Sequence, residues 1–424
     1  MDVLKKGSHV LLTPEASTAQ VVRDVLADVQ KNGMVAVRKY SRQFDNWDPP
    51  SFEISPENIH EASNQLSPSV REDISFCQAQ VREFAQKQLE TMKPLEVETL
   101  PGVVLGHKHI PVHSVGCYVP GGRYRALASA YMSIVTARVA GVDNIIACTP
   151  PVGGNLCHPA TTYTIHTSGA DRIFCIGGVQ ALAMMAYGAD EVEPVDMLVG
   201  PGNRFIIEAK RQLFGHCGVD LIAGPTEILV IADVSADPAL VACDLLGQAE
   251  HDPNSGICLI TTSSSLGQAV AKEVERQLEM LPTRGVASVS WGNNGIILVA
   301  ENDDEAIRLS DDYAPEHLEL HVANRDYYFS RLKNYGSLFI GEETTVAYGD
   351  KCSGPNHILP TGRAARYTGG LWVGKFLKTH TYQYMTPQAS RELAAVAERI
   401  CKLEGMLAHA KTAQVRLERF TKDN

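Results

Sequence analysis

From residue 144 onward the sequence repeats one unit: a short apolar strand, a tight turn and a helix. Residues 144–149 read as a strand closed by Pro150-Pro151, and 172–178 as a strand running into a helix over 179–187. Residues 197–202 read as a strand feeding a helix over 203–213. A second series has strands at 227–232, 256–262 and 295–300, helices at 239–250 and 268–281, and β-like stretches at 317–322 and 336–341. Such repetition predicts an α/β fold with parallel sheets and crossover helices. Ligands are then expected at the carboxyl ends of the strands. The two series suggest two α/β lobes with a junction near 225–228.

Residues 1–95 read as helical, because apolar positions recur at helical spacing through Ala19 to Val29 and through Val70 to Leu89. Pro56 and Pro68 mark turns or first helical positions. From Pro387 to the end, Leu393, Val396, Ile400 and Leu403 form one helical stripe. A terminal helix outside both lobes suits a packing arm that crosses to a second subunit.

A chain of 424 residues exceeds one ordinary core. A net charge of −11 disfavours nucleic acid but leaves room for a small anion in a locally basic pocket. The ten cysteines include no C-x-x-C and read as reduced thiols. The start lacks the apolar core of a signal peptide, and no apolar run reaches the length of a membrane span. The expectation is a cytoplasmic protein with neither a nucleic-acid nor a membrane partner.

Three stretches carry chemistry. Tyr313-Ala314-Pro315-Glu316-His317 places a carboxylate that can activate water beside an imidazole that can take a proton. Pro315 is expected to hold Ala314 extended and so present the pair rigidly; the bland reading is a Glu-His pair in a surface turn. Gln248 and His251 lie three apart at a helix end, with donors zinc accepts, although such a pair also serves as a cap or in a core. Asp350 and His357 bracket a glycine-containing loop. No dinucleotide-binding glycine fingerprint or P-loop exists, because Phe205 occupies the third glycine position after Gly200-Pro201-Gly202. A dinucleotide would need other means, such as exposed amides at Gly177-Gly178 and Gly200–Gly202, which are otherwise ordinary tight turns.

Taken together, the chain resembles the histidinol dehydrogenase family over nearly its whole length. The residues that carry the resemblance are 118–122 (Tyr-Val-Pro-Gly-Gly), 177–181, 200–203, 223–227 and 248–251, then 313–318, 354–361, and Glu404-Gly405 with His409. The resemblance implies two incomplete Rossmann-like lobes, a helical N-terminal region and an intertwined homodimer. Residues 1–117 with 228–370 would form the catalytic and zinc lobe, 118–227 the NAD lobe, and 371–424 a helical arm reaching the partner subunit. It implies one Zn2+ per subunit on Gln248, His251 and Asp350 with His409 of the partner subunit, and NAD contacts at Tyr118, Gln180 and Asn203. The implied reaction oxidises a primary alcohol through a retained aldehyde to a carboxylate, four electrons passing to two NAD. His317 would be the general base and Glu316 would activate the water. Thr226, Gln248, His251, His317, Asp350, His357 and Glu404 would meet the substrate.

The chain departs from the family pattern at Arg123 and Arg125, at Ala128 in place of the first residue of a serine pair, and at Thr226 in place of serine. It departs again at Lys351 beside Asp350, and at Trp372 and Lys375 in a segment that usually carries an acidic residue. Histidinol is an amine, so added cations point instead to an anionic substrate. The pattern resembles the sulfopropanediol 3-dehydrogenase branch, with 2,3-dihydroxypropane-1-sulfonate oxidised to sulfolactate and Arg123, Arg125 and Lys351 binding the anion. Arg123 and Arg125 could equally face solvent or cofactor phosphates. Oxidation of L-histidinol to L-histidine is the alternative, and a catalytically idle metal-binding family member the remote one.

Overall fold

The computed structural model describes residues 2–7, 16–122, 124–190 and 192–422. Arg123 lies outside them. The chain divides into two compact units, Met1–Lys87 with Val112–Phe376, and Gln88–Pro111 with Leu377–Asn424.

The first unit holds two largely parallel sheets. One comprises β4 (Ser114–Tyr118), β5 (Asn144–Thr149), β6 (Arg172–Cys175), β7 (Met197–Val199) and β8 (Gly218–Val219), in the order β6-β5-β4-β7-β8. The other comprises β9 (Glu227–Ala232), β10 (Gly256–Thr261), β11 (Gly295–Val299), β12 (His317–His321) and β13 (Ser337–Ile340). Its order is β1-β11-β10-β9-β12-β13, with β1 (Asp2–Lys5) antiparallel at the edge. Chain order reverses between β4 and β7 and again between β9 and β12, so each sheet has its own switch point.

Helices α1 (Ala16–Asn32), α2 (Met34–Asp45), α7 (Gly178–Tyr187) and α8 (Arg204–Leu213) contribute to one core with the first sheet, and α3 (Pro56–Asn64), α4 (Pro68–Glu90), α5 (Leu127–Ala140) and α6 (Pro159–Ser168) complete that part. Around the second sheet lie α9 (Pro238–Ala249), α10 (Ser264–Met280), α11 (Arg284–Asn294), α12 (Asp303–Tyr313), α13 (Arg325–Phe329) and α14 (Val346–Lys351). Its two faces bury separate cores. Ile228 and Val230 pack with Leu245 of α9, and Leu229 and Leu318 pack with Ile307 of α12. Local chemistry sets several helix starts. Asp237 caps α9 with Pro238 in its first turn, Asn302 caps α12 ahead of three acidic residues, and Pro56 follows its Ser55 cap.

The second unit pairs β3 (Val103–Pro111) antiparallel with β2 (Leu95–Leu100) and β14 (Leu377–Met385), followed by α15 (Pro387–Leu403) and α16 (Leu407–Lys422). Two readings need correction. The stretch 1–95 is not helical throughout, because Asp2–Lys5 forms a sheet edge and Leu95 opens a strand. The segment 371–424 is not wholly helical, because Leu377–Met385 is a strand hydrogen-bonded to β3, a long-range pairing that local periodicity does not show. All ten cysteines are free thiols, six of them buried. No described helix is long and apolar enough to cross a membrane.

Candidate active site

The candidate catalytic residues lie at the amino edge of the second sheet, not at its carboxyl edge as the α/β pattern predicts. Glu227 opens β9 and His317 opens β12, and the two strands pair in parallel with His317 opposite Ile228. Helix α9 runs back across the sheet, so its last turn delivers Gln248 to this edge. His251 lies just beyond the helix, its amide donating to the Gln248 carbonyl at 3.3 Å. Asp350 comes from α14.

Glu316 and His317 are buried at 6% and 2% exposure, which removes the surface-turn reading. Ala314 is not extended. It caps α12 in the left-handed region at φ 52°, its amide donating to the Ser310 carbonyl. Closing the helix outweighs the preference that the following proline imposes on Ala314.

The Glu316 carboxylate is held on one oxygen. Its Oε2 accepts from Thr226 Oγ1 at 2.5 Å and from the Glu227 amide at 2.9 Å. Gln248 Nε2 donates to Thr226 Oγ1, so Thr226 links the two side chains. His317 Nδ1 donates to the Glu227 carbonyl at 3.1 Å, which leaves Nε2 as the nitrogen free to take a proton. That Nε2 is buried without a hydrogen-bond partner among the described residues and lies 3.3 Å from Asp350 Oδ1. Burial disfavours charge on His317, but the Glu316 and Asp350 carboxylates outweigh it and hold its pKa well above the ordinary value. Burial would raise Asp350, yet its contact with His317 and the charges of His317 and Lys351 hold it well below the carboxylate range. His357 is pushed down to about 4 by burial, and its Nε2 lies 2.9 Å from Ser129 Oγ. Burial also lowers His251, which favours the neutral, metal-binding form.

These groups share a cavity of about 490 Å³, lined entirely from the first unit. Thr226, His251, Glu316, His317, Asp350, Lys351 and His357 line it together with Tyr124 and Arg125 from the loop before α5, Ala128 and Ser129 from its first turn, and Cys77 of α4. Lys351 Nζ lies 3.9 Å from Asp350 Oδ2. Trp372 and Lys375 do not line the cavity, and Lys375 Nζ donates to Thr368 Oγ1 at 2.9 Å. Glu404 and His409 belong to the second unit, where both are exposed.

The expected cofactor residues lie at the carboxyl edge of the first sheet. Tyr118 ends β4 and Asn203 follows β7, the two strands flanking the switch point, and Gln180 lies in the first turn of α7. Several of their polar groups are already engaged. Tyr118 Oη accepts from the Gly178 amide, and Asn203 Oδ1 caps α8 by accepting from Phe205 and Ile206. The Gly200 amide donates to Asp220, so neither Gly178 nor Gly200 offers the free amide expected from the sequence. Gln180 Nε2 donates to Asp45 at 3.1 Å, and its Oε1 is buried without a partner among the described residues.

Glu227 was not singled out by sequence reasoning, yet its backbone amide and carbonyl position both candidate catalytic side chains. The visible signal was a charged residue opening an otherwise apolar strand.

A family model described as histidinol dehydrogenase matches residues 12–417. A histidinol dehydrogenase homolog of Shouchella clausii is 52% identical, covering 98% of each chain. A sulfopropanediol 3-dehydrogenase of Ruegeria pomeroyi is 43% identical, covering 100% of this chain and 98% of its own. The crystal structure of histidinol dehydrogenase from Elizabethkingia anophelis superposes with a TM-score of 0.92 at 31% identity, covering 98% of this chain and 95% of that one. The chain belongs to the histidinol dehydrogenase family and is a dehydrogenase acting on an alcohol.

Proposed function

We propose that the protein oxidises a primary alcohol carrying an anionic group to the carboxylate, with 2,3-dihydroxypropane-1-sulfonate as substrate and sulfolactate as product. Each turnover consumes one alcohol, one water and two NAD, and gives one carboxylate, two NADH and three protons. The observation that carries the substrate class is the presence of Arg125 and Lys351 in the wall of the cavity that holds Glu316 and His317. Two cations in that wall favour a sulfonate and disfavour a protonated amine. The likeness to a sulfopropanediol 3-dehydrogenase agrees. Likeness to a histidinol dehydrogenase homolog at 52% does not choose between the substrates, and the cations of the pocket support the anionic one.

With a cation on Asp350 offsetting the carboxylate charge that raises its pKa, neutral His317 would take the proton of the alcohol at Nε2, its ring held by the Glu227 carbonyl. Glu316 then draws a proton from a water that adds to the aldehyde, its other oxygen fixed by Thr226 and the Glu227 amide. Having passed the first proton to solvent, His317 takes the second hydroxyl proton as hydride leaves for the second NAD. Burial of the pair keeps bulk water from the aldehyde.

NAD is the two-electron acceptor, used twice; Tyr118, Gln180 and Asn203 in the 118–227 lobe are its proposed contacts, and the unpartnered Gln180 Oε1 suits a donor on that cofactor. Zinc suits Gln248, His251 and Asp350, because Gln248 uses its amide nitrogen on Thr226 and keeps an oxygen, His251 is held neutral, and Asp350 is held ionised. The ion would anchor and polarise the substrate hydroxyl. The remaining ligand is proposed to be His409 of the partner subunit in a homodimer, with Glu404 of the partner subunit against the substrate. Residues 371–424 would be the arm that reaches across, while the second sheet with α9 and α14 carries the catalytic residues. The test is the NADH produced from the sulfonated diol and from L-histidinol under matched conditions.

A further inference from the structure

Strand β12 carries a second row of chemistry beyond His317. His317, Glu319 and His321 alternate along it, so all three point to the face covered by α9. Gln248 of α9 answers His317, and Asp244, one turn earlier on the same helix, answers His321 and Glu319. His321 Nε2 lies 3.5 Å from Asp244 Oδ2 and 3.5 Å from Glu319 Oε2, and one donor atom from each of the three residues falls within 4.8 Å of the others.

Glu319 and His321 are 0% and 2% exposed. Glu319 Oε2 and both His321 nitrogens have no hydrogen-bond partner among the described residues. A buried carboxylate oxygen and an imidazole left without hydrogen bonds are costly. The opposite oxygen of each carboxylate is fixed. Glu319 Oε1 accepts from the Val346 amide at 2.9 Å, and Asp244 Oδ1 accepts from Thr345 Oγ1 at 2.9 Å. Ligating carboxylates are held in this way, one oxygen oriented by a donor behind it and the other turned to the ion. Ligands of a tetrahedral zinc stand about 3.4 Å apart, as bond lengths near 2.1 Å require, and the two 3.5 Å separations match. Asp244 is pushed up to about 7 by burial and by the Glu319 charge, a strain a divalent cation would relieve.

We propose that Asp244, Glu319 and His321 form a second divalent-cation site, distinct from the catalytic one, that takes zinc through one imidazole nitrogen and two carboxylate oxygens. Asp244 is partly exposed, which gives the ion a path in and leaves a fourth position for water. The site joins α9, β12 and, through Thr345 and Val346, the start of α14. Those three elements also carry Gln248, His317 and Asp350. A cation there would fix their spacing without touching substrate.

The test is metal content of the chelator-stripped, zinc-reconstituted and desalted full-length protein. Wild-type protein is expected to hold about one more zinc per chain than Asp244→Asn, a mild change at a partly exposed helical position, and than His321→Gln. In an Asp350→Asn background, zinc chloride is expected to raise the thermal midpoint, and adding Asp244→Asn should abolish that rise. Equal zinc content in wild-type and folded Asp244→Asn protein overturns the proposal, whichever alcohol the enzyme oxidises.

Discussion

His317 and Glu227 are joined by a hydrogen bond from the imidazole Nδ1 to the backbone carbonyl, 3.1 Å long, across two parallel strands. It fixes the ring and its tautomer with a group that no side-chain substitution removes. The candidate catalytic nitrogen is therefore positioned by the sheet itself, while Glu316 relies on the Thr226 side chain as well as on the Glu227 amide.

That difference predicts how the two half-reactions fail. Glu316→Gln should slow oxidation of the supplied aldehyde far more than the first hydride step, because only the second half needs an activated water. His317→Ala should slow both by roughly a hundred-fold or more. Single-turnover NADH formation from alcohol and from aldehyde measures each half, and equal loss of both in Glu316→Gln would contradict the assignment.

Thr226 donates to Glu316 and accepts from Gln248. Thr226→Ala leaves both without that partner, and should cost about 1–3 kcal/mol of stability in denaturant titrations. It should also lower kcat, while Thr226→Ser should restore most of both.

Arg125 and Lys351 should act on binding. Replacing either with Ala should raise KM for the sulfonated diol roughly ten- to a hundred-fold, the scale of a hydrogen bond to a charged group, with kcat changed much less. Unaltered kinetics in both variants would take them out of substrate recognition.

Burial, aided by the Glu316 charge, pushes the Glu227 carboxyl up to about 8, whereas an unfolded glutamate titrates near about 4.3. Between those values the folded chain keeps a proton that the unfolded chain has lost. Stability should therefore fall as pH rises through that window, by at most about 1.4 kcal/mol per pH unit from this residue. Glu227→Gln should flatten this part of the profile. Urea midpoints of chelator-treated protein between about pH 5 and pH 8 provide the check.

Most strands from Asn144 to Ile340 were legible, and four of the eight helices there, because buried parallel strands are apolar runs and several crossover helices are periodic. Strand β14 was not, since Leu377–Met385 is mostly exposed and owes its shape to pairing with β3. The Glu316–His317 pair was legible as chemistry, but its place at the amino edge of the sheet follows from the antiparallel run of α9, which local sequence does not state. The alternation of His317, Glu319 and His321 stood in the sequence as well. Its meaning depended on Asp244, brought opposite only by helix packing.

The most direct measurement is NADH formed per molecule of alcohol consumed by the zinc-loaded enzyme. With 2,3-dihydroxypropane-1-sulfonate the ratio should be two, with sulfolactate as product and no free aldehyde. Robust turnover of L-histidinol with none of the sulfonated diol, or a ratio of one, would contradict the account.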